Sequence, residues 1–322
     1  MVLEAAPYLA DVADGPDTGA AYWTTAADGV RVRVGAWPME GAQGTLLLMP
    51  GRTEFIEKYA NTAGELALRN YAMMAIDWRG QGLADRLLPD RRVGHVHSFP
   101  DYQHDVAAMI AVAEALEMPR PWHVLGHSMG GAIALRAVID GLDVQSATFT
   151  GPMWGILIAP GMRQLAWGLY YASGWTGQDH RLPPTTSIEN YVATSEFADN
   201  MLTTDRPMWD LMKRQISTYP DLALGGPSLR WLGEALQECR YLMRAPAPAI
   251  PAMTFVGERE SIVDREKMRA RMANWPNGTF QIVPDAQHEV LMEGPATRTL
   301  ILEQMLDLFA RGEAQANMAR AG

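Results

Sequence analysis

The chain is 322 residues long, 48% hydrophobic and 20% charged, which is enough to bury a sizeable core and ordinary for a soluble globular enzyme. Its formal net charge of −10 and its lack of any Lys/Arg cluster exclude a nucleic-acid surface, which must displace counterions from phosphates, and disfavour anionic membranes. A single cysteine, Cys239, can form no internal disulfide, so the sequence predicts a fold independent of an oxidising compartment and a cytoplasmic location.

Residues 1–18 are acidic, hold no Lys or Arg, and lack the positive start and apolar core of a secretory signal, so no export is expected. Residues 21–26, the Asp28-Gly29 turn and the alternation Val30, Val32, Val34, Ala36 predict an antiparallel hairpin, because Asp-Gly supplies the positive φ angles of a tight turn. Short apolar runs then alternate with helix-spaced ones, the pattern of parallel strands joined by crossover helices. Strands are predicted at 45–49, 71–76, 122–125 and 147–150, with helices at 55–69, 102–116 and 129–139.

The alternation stops near residue 150. The stretch from 152 to 245 holds Trp154, Trp167, Trp175, Trp209 and Trp231 without a strand pattern, and reads as an inserted helical cap. Met162, Leu165, Ala166, Leu169 and Tyr170 follow helical spacing, as do Leu229, Leu232, Leu236 and Cys239. Each such aromatic taken singly reads as core, while their density predicts an apolar pocket wall. The most apolar stretch, 155–160, is far below the roughly 20 residues that span a bilayer, so any membrane contact is expected to be peripheral. The prolines of Ala245-Pro246-Ala247-Pro248-Ala249-Ile250-Pro251 predict a stiff connector back to the sheet. Strands at 252–256 and 279–283 and helices at 265–273 and 296–310 complete the pattern, and the polar tail 311–322 reads as frayed. The expected organisation is an α/β core over 1–151 and 246–322, interrupted by a cap over 152–245.

The chemistry centres on Gly126-His127-Ser128-Met129-Gly130, a Gly-x-Ser-x-Gly motif between a predicted strand and a predicted helix. That context is the nucleophile elbow of the α/β-hydrolase fold, and it makes Ser128 the candidate nucleophile. A serine hydroxyl needs a base within hydrogen-bond reach and a third group to orient that base, in the chain order Ser, acid, His. Of seven histidines, His288 lies just past the last predicted strand and is the candidate base. His123 falls in a strand, His127 in the elbow, and His95, His97, His104 and His180 before the acid position. His95, His97, Asp101 and His104 read as a surface loop feeding a helix, since no zinc spacing accompanies them, and no metal is expected.

The acid should follow strand 252–256, where the loop offers Glu258, Glu260 and Asp264, and the choice falls between the last two. Asp264 precedes a helical run and reads as its N-cap, so Glu260 is preferred and Asp264 kept as the alternative. The oxyanion needs two preorganised N–H donors, and the backbone groups of Met129 and Arg52 are the candidates. Glu54, His127 and Trp154 are candidate substrate contacts.

These residues resemble the lysophospholipase and monoacylglycerol lipase branch of the α/β-hydrolases. The likeness rests on Met49-Pro50-Gly51-Arg52-Thr53-Glu54-Phe55 with Lys58-Tyr59, on Asp77-Trp78-Arg79-Gly80-Gln81-Gly82, on the elbow, and on His288-Glu289 with Glu293. Two positions depart from the family pattern: Glu260 stands where an Asp is usual, and Pro50 where a His is common. The resemblance implies hydrolysis of a carboxylic ester with one long acyl chain, on a small-molecule or monoacyl lipid substrate, without cofactor. Acyl transfer, small-ester or peptide cleavage on the same triad, and a non-catalytic binder retaining the fold, are the alternatives.

Overall fold

A computed structural model of the chain describes residues 3–159, 161–184 and 186–321. The chain opens with β1 (Glu4–Ala6), α1 (Ala10–Ala13), β2 (Ala20–Thr25), β3 (Arg31–Trp37) and β4 (Gly44–Met49). Then come α2 (Ala60–Ala67), β5 (Tyr71–Asp77), α3 (Tyr102–Ala115), β6 (Trp122–His127), α4 (Met129–Ile139) and β7 (Ala147–Thr150). Four helices follow without a strand: α5 (Met162–Thr176), α6 (Tyr191–Thr194), α7 (Arg206–Thr218) and α8 (Leu229–Leu242). The chain ends on β8 (Ala252–Gly257), α9 (Arg265–Ala273), β9 (Gly278–Val283) and α10 (Pro295–Ala321).

The strands form one nine-stranded sheet in the order β1-β2-β3-β5-β4-β6-β7-β8-β9. The first three and the β3/β5 pair are antiparallel, and every pair from β4/β5 to β8/β9 is parallel. Side chains alternate across a strand, so each parallel strand feeds two apolar layers. Leu47, Met49 and Val124 join α3, α4, α8 and α9 on one face. Leu46, Leu48 and Leu125 join α2, α7 and α10 on the other. Each of these leucines is fully buried, which contributes roughly 1.5–3 kcal/mol apiece. The loops after β4, β6, β8 and β9 therefore meet at the carboxyl edge of the sheet, where ligands bind in open α/β folds.

The structure differs from the sequence-based expectation at three places. Strand β1 is too short to carry a pattern and exists by pairing Glu4–Ala6 with Ala21–Trp23. Helix α7 has no counterpart among the predicted elements, although Asp205 caps it by accepting the Met208 N–H at 2.9 Å. The tail expected to fray is helical instead: α10 runs on to Ala321, with Gly312 packed against Gln145 and the Gln315 amide donating to Ala249 O at 3.1 Å. No helix among the described residues is long and apolar enough to cross a membrane.

Candidate active site

Strand β6 delivers Ser128 to a turn with φ 49° and ψ −117°, a region L-residues rarely occupy and one that stores roughly 1–3 kcal/mol of strain. The surroundings hold it there. Ser128 N–H donates to Thr150 O at 3.0 Å, and Ser128 O accepts from Gly131 N–H at 2.9 Å and Met153 N–H at 2.8 Å. The flanking glycines are steric requirements. A Cβ on Gly126 would stand 2.6 Å from Gly130 O, and one on Gly130 would overlap the Met49 carbonyl. Helix α4 begins at the next residue, Met129.

His288 reaches Ser128 from the loop after β9. Its Nε2 lies 2.9 Å from Ser128 Oγ, and its Nδ1 lies 2.6 Å from Glu260 Oε2. The other Glu260 oxygen accepts the Ile262 and Val263 N–H groups at 2.7 and 3.1 Å, which fixes the carboxylate in its loop. Asp264 is used otherwise, accepting the Glu266 and Lys267 N–H groups at 3.1 and 3.2 Å as the N-cap of α9. Burial penalises both ions of the Glu260–His288 pair, but the shared hydrogen bond and opposite charge outweigh it. Glu260 is accordingly held below the usual carboxylate range and His288 above the usual imidazole range. Glu293 steadies the histidine loop: its carboxylate accepts from Gln287 N–H at 2.8 Å and Thr204 N–H at 2.9 Å.

The loop after β4 is fixed from several sides. Trp78 Nε1 donates to Pro50 O at 2.8 Å, and Gln81 Nε2 to Gly51 O and Glu54 O at 2.8 and 3.0 Å. The Glu54 carboxylate accepts the Gly51 N–H, and Asp77 accepts the Ile56 N–H at 2.9 Å. The Asp77-Trp78-Arg79-Gly80-Gln81-Gly82 stretch thus sets the Gly51-Arg52 backbone beside the elbow. Among the described residues, neither the Arg52 nor the Met129 N–H donates to a backbone carbonyl.

A cavity of about 370 Å³ opens over Ser128 and His288. Gly51, Arg52, Thr53, Glu54, His127 and Glu289 line its polar side, and Tyr191, Val192, Met201, Leu202, Leu224 and Ile262 give it apolar walls. Residues 186–227 of the four-helix stretch supply most of one side.

Residues 40–295 match the model of the family described as serine aminopeptidase, S33. Lysophospholipase L2 of Escherichia coli (strain K12) is 32% identical over 301 residues, covering 89% of this chain and 86% of that protein. The chain belongs to the S33 family. A second relative, the probable lysophospholipase L2 of Haemophilus influenzae, is 27% identical over 270 residues, 83% of this chain and 84% of that protein. A soluble variant of the monoglyceride lipase of Saccharomyces cerevisiae, solved with a substrate analog, shares the fold. It gives a TM-score of 0.68 at 18% identity over 90% of this chain and 94% of that one. The chain is an α/β-hydrolase of the lysophospholipase and monoacylglycerol lipase-like branch, and its coarse activity is ester hydrolysis.

Beneath the site of this S33 hydrolase Glu54, Lys58, Tyr59 and Glu289, which the sequence offers only as a substrate contact or as parts of a resemblance, form a buried ion cluster. Lys58 Nζ stands 2.7 Å from Glu54 Oε1 and 2.6 Å from Glu289 Oε2, and Tyr59 OH donates to Glu54 Oε2 at 2.7 Å. Burial raises the Glu54 carboxyl, but the charges of Lys58 and His127 and hydrogen bonds from Lys58 and Tyr59 bring it down to about 2. Burial keeps Glu289 raised. Glu54, His127 and Glu289 lie close enough to be weighed as metal ligands, but the Lys58 ammonium already sits between the two carboxylates. His127 donates from Nδ1 toward Thr150 O at 2.9 Å, and burial lowers it to about 4, so the imidazole is neutral at pH 7 and adds its charge beside Glu54 only in acid.

The four-helix stretch read as a cap gives this S33 cavity an apolar wall that includes Tyr191, but not the tryptophans expected there. No tryptophan lines it among the described residues. Trp154 in particular is not a substrate contact: it is fully buried behind α4, edge-on to Phe149 at 4.9 Å, with Nε1 donating to Gly131 O at 3.2 Å. Trp209 and Trp231 are buried in the apolar layers, and Trp175 is exposed. Helix-spaced aromatics read alike whether they face a core, solvent or a pocket. His95 is likewise spoken for, bonding Ser228 Oγ at 2.8 Å.

Proposed function

We propose that the chain is a serine carboxylic ester hydrolase working through an acyl-enzyme on monoacyl lipids, with a lysophospholipid as its characteristic substrate. The observation that carries this reading is the continuous relay Ser128 Oγ, His288 Nε2, His288 Nδ1, Glu260 Oε2 at 2.9 and 2.6 Å, opening into the cavity. Ser128 Oγ attacks the ester carbonyl while His288 Nε2 takes its proton, and Glu260 holds the imidazolium that forms. The backbone N–H groups of Arg52 and Met129 receive the oxyanion. His288 returns the proton to the leaving alcohol, then takes one from a water that attacks the acyl-enzyme and passes it to Ser128 Oγ as the fatty acid leaves. The protein's own groups perform every step. The relatives' names support the lipid substrate, and the apolar cavity walls accept an acyl chain.

We also infer that residues 152–245 act as a cap on a core of 1–151 and 246–322, a reading supported by the four helices between β7 and β8. The net charge of −10 and the buried free thiol of Cys239 support a cytoplasmic setting with at most peripheral membrane contact.

The family description favours a second reading, release of N-terminal amino acids. A peptidase of that kind needs a carboxylate free to hold the substrate's ammonium. Glu54 and Glu289 are already committed to Lys58, which speaks against it. Turnover should be measured on lysophospholipid, monoacylglycerol, acetyl ester and aminoacyl amide, with fluorophosphonate labelling alongside. Ser128→Ala is expected to abolish labelling and to lower ester turnover by about 10⁶-fold. Labelling no faster than the variant would leave only a binding protein, and faster aminoacyl release would replace the lipid reading.

A further inference from the structure

The Arg52 backbone has a place in the mechanism, but its side chain does not. The guanidinium is half-buried on the wall of the same cavity as Ser128 and His288. Nη1 donates to Gly225 O at 2.6 Å, and the group lies 5.6 Å from the Trp231 ring. Trp231 is itself fixed by its Nε1 donating to Tyr102 OH at 3.2 Å. The cation is therefore held in place by a carbonyl and an aromatic face.

What it lacks is an anion. Arg33, Arg79 and Arg298 are more fully buried, and each faces a carboxylate at 2.7, 2.8 and 3.0 Å respectively, while Arg271, buried with carbonyl partners, lies away from this cavity. Arg52 enters no ion pair among the described residues. Burial lowers it to about 10 with no carboxylate to compensate, so it remains a cation at neutral pH with donors to spare. The carboxylates on the same wall do not oppose an incoming anion strongly. Glu54 and Glu289 are held by Lys58, and Glu189 faces Arg92 at 3.5 Å.

We propose that the Arg52 guanidinium is an anion subsite of the active-site cavity, selecting monoacyl esters that carry a phosphate over neutral ones. This rests on the ester-hydrolase reading above and names what would distinguish substrates within it. In a lysophospholipid the phosphate lies one glycerol unit from the scissile ester. In the protein the guanidinium lies one side chain from the Arg52 N–H that would receive the oxyanion. A planar guanidinium binds phosphate through two parallel N–H donors, a geometry Lys does not reproduce.

The test compares kcat/KM on monoacylglycerol phosphate, monoacyl glycerate and monoacylglycerol of one chain length, in wild type, Arg52→Gln and Arg52→Lys. The wild type is expected to favour the phosphate ester. Arg52→Gln should lower the phosphate-to-neutral ratio roughly 10- to 100-fold, mainly through KM, and Arg52→Lys by less. An equal fall for the glycerate ester would make the subsite one for anions generally and overturn phosphate selection. An unchanged ratio in Arg52→Gln would overturn the subsite itself. Binding of monoacylglycerol phosphate to Ser128→Ala, with and without Arg52→Gln, reads the same contact without turnover. Weakened binding there supports the subsite even if no ester is cleaved, an outcome that would sink the hydrolase reading alone. Unweakened binding overturns the subsite.

Discussion

In the proposed relay His288 must be neutral to take the Ser128 proton, and Glu260 stabilises its charged form. The acid limb of kcat/KM is therefore expected above the ordinary imidazole value of 6.5. Glu260→Gln should move that limb downward and lower kcat by about 10³- to 10⁴-fold, whereas Asp264→Asn should leave the limb in place. A limb unmoved by Glu260→Gln would remove the carboxylate from the relay. Stability runs the other way. A raised histidine contributes below its unfolded pKa and loses that contribution as pH rises through its folded value. A lowered carboxylate contributes above its unfolded pKa and loses that as pH falls through its folded value. The pair therefore stabilises most between 4.5 and 6.5. The Tm difference between wild type and Glu260→Gln, followed against pH, should peak in that window, on the acid side of the activity.

At the scale of elements, the glycine that closes the elbow is also a contact between strand and helix. A methyl at Gly130 meets the carbonyls of Met49 and Pro50, where β4 passes into the Arg52 loop. Gly130→Ala is expected to destabilise by about 3 kcal/mol and to depress kcat, because the clash pushes on both Ser128 and the Arg52 loop proposed to receive the oxyanion. Unchanged denaturant midpoint and kcat would show that the loop yields freely. Helix α10 carries a comparable contact far from the chemistry, where a Cβ on Gly312 would overlap Gln145 O. Gly312→Val should lower Tm with KM unchanged.

These elements also mark how far the sequence can be read. The parallel strands announce themselves as short apolar runs between helices, since both faces of such strands are buried. The helical run after Asp264 identifies an N-cap, leaving Glu260 free in the loop, and the two carboxylates do divide in that way. Helix α7 is legible in principle from Asp205, Pro207 and the Met208, Leu211, Met212, Ile216 spacing, but its tryptophan reads equally as a pocket residue. The wall of the cavity is not legible. Met201 and Leu202 come from the turn between α6 and α7, and Tyr191 opens the four-residue α6, so none sits in a stretch long enough for periodicity to betray the direction of a side chain.

Across the whole molecule, the two loops flanking Ser128 are joined through Lys58, whose ammonium touches Glu54 from the loop after β4 and Glu289 from the loop after β9. Lys58→Met would leave two buried carboxylates facing each other. A loss of about 3–5 kcal/mol is expected, larger at pH 8 than at pH 5, where the carboxyls can protonate. The double variant Lys58→Met/Glu289→Gln should recover part of it. Equal unfolding free energies at the two pH values would contradict the ionic role.

Lys58 and Glu289 are 231 residues apart, and Ser128 and His288 are 160 apart. During synthesis the serine therefore leaves the ribosome long before its proposed base exists, and the link from Lys58 to Glu289 forms only once the loop after β9 has docked. Under the proposed mechanism Ser128 stays an inert alcohol in the nascent chain until the loop after β9 brings His288 beside it, and reactivity toward esters waits for that loop.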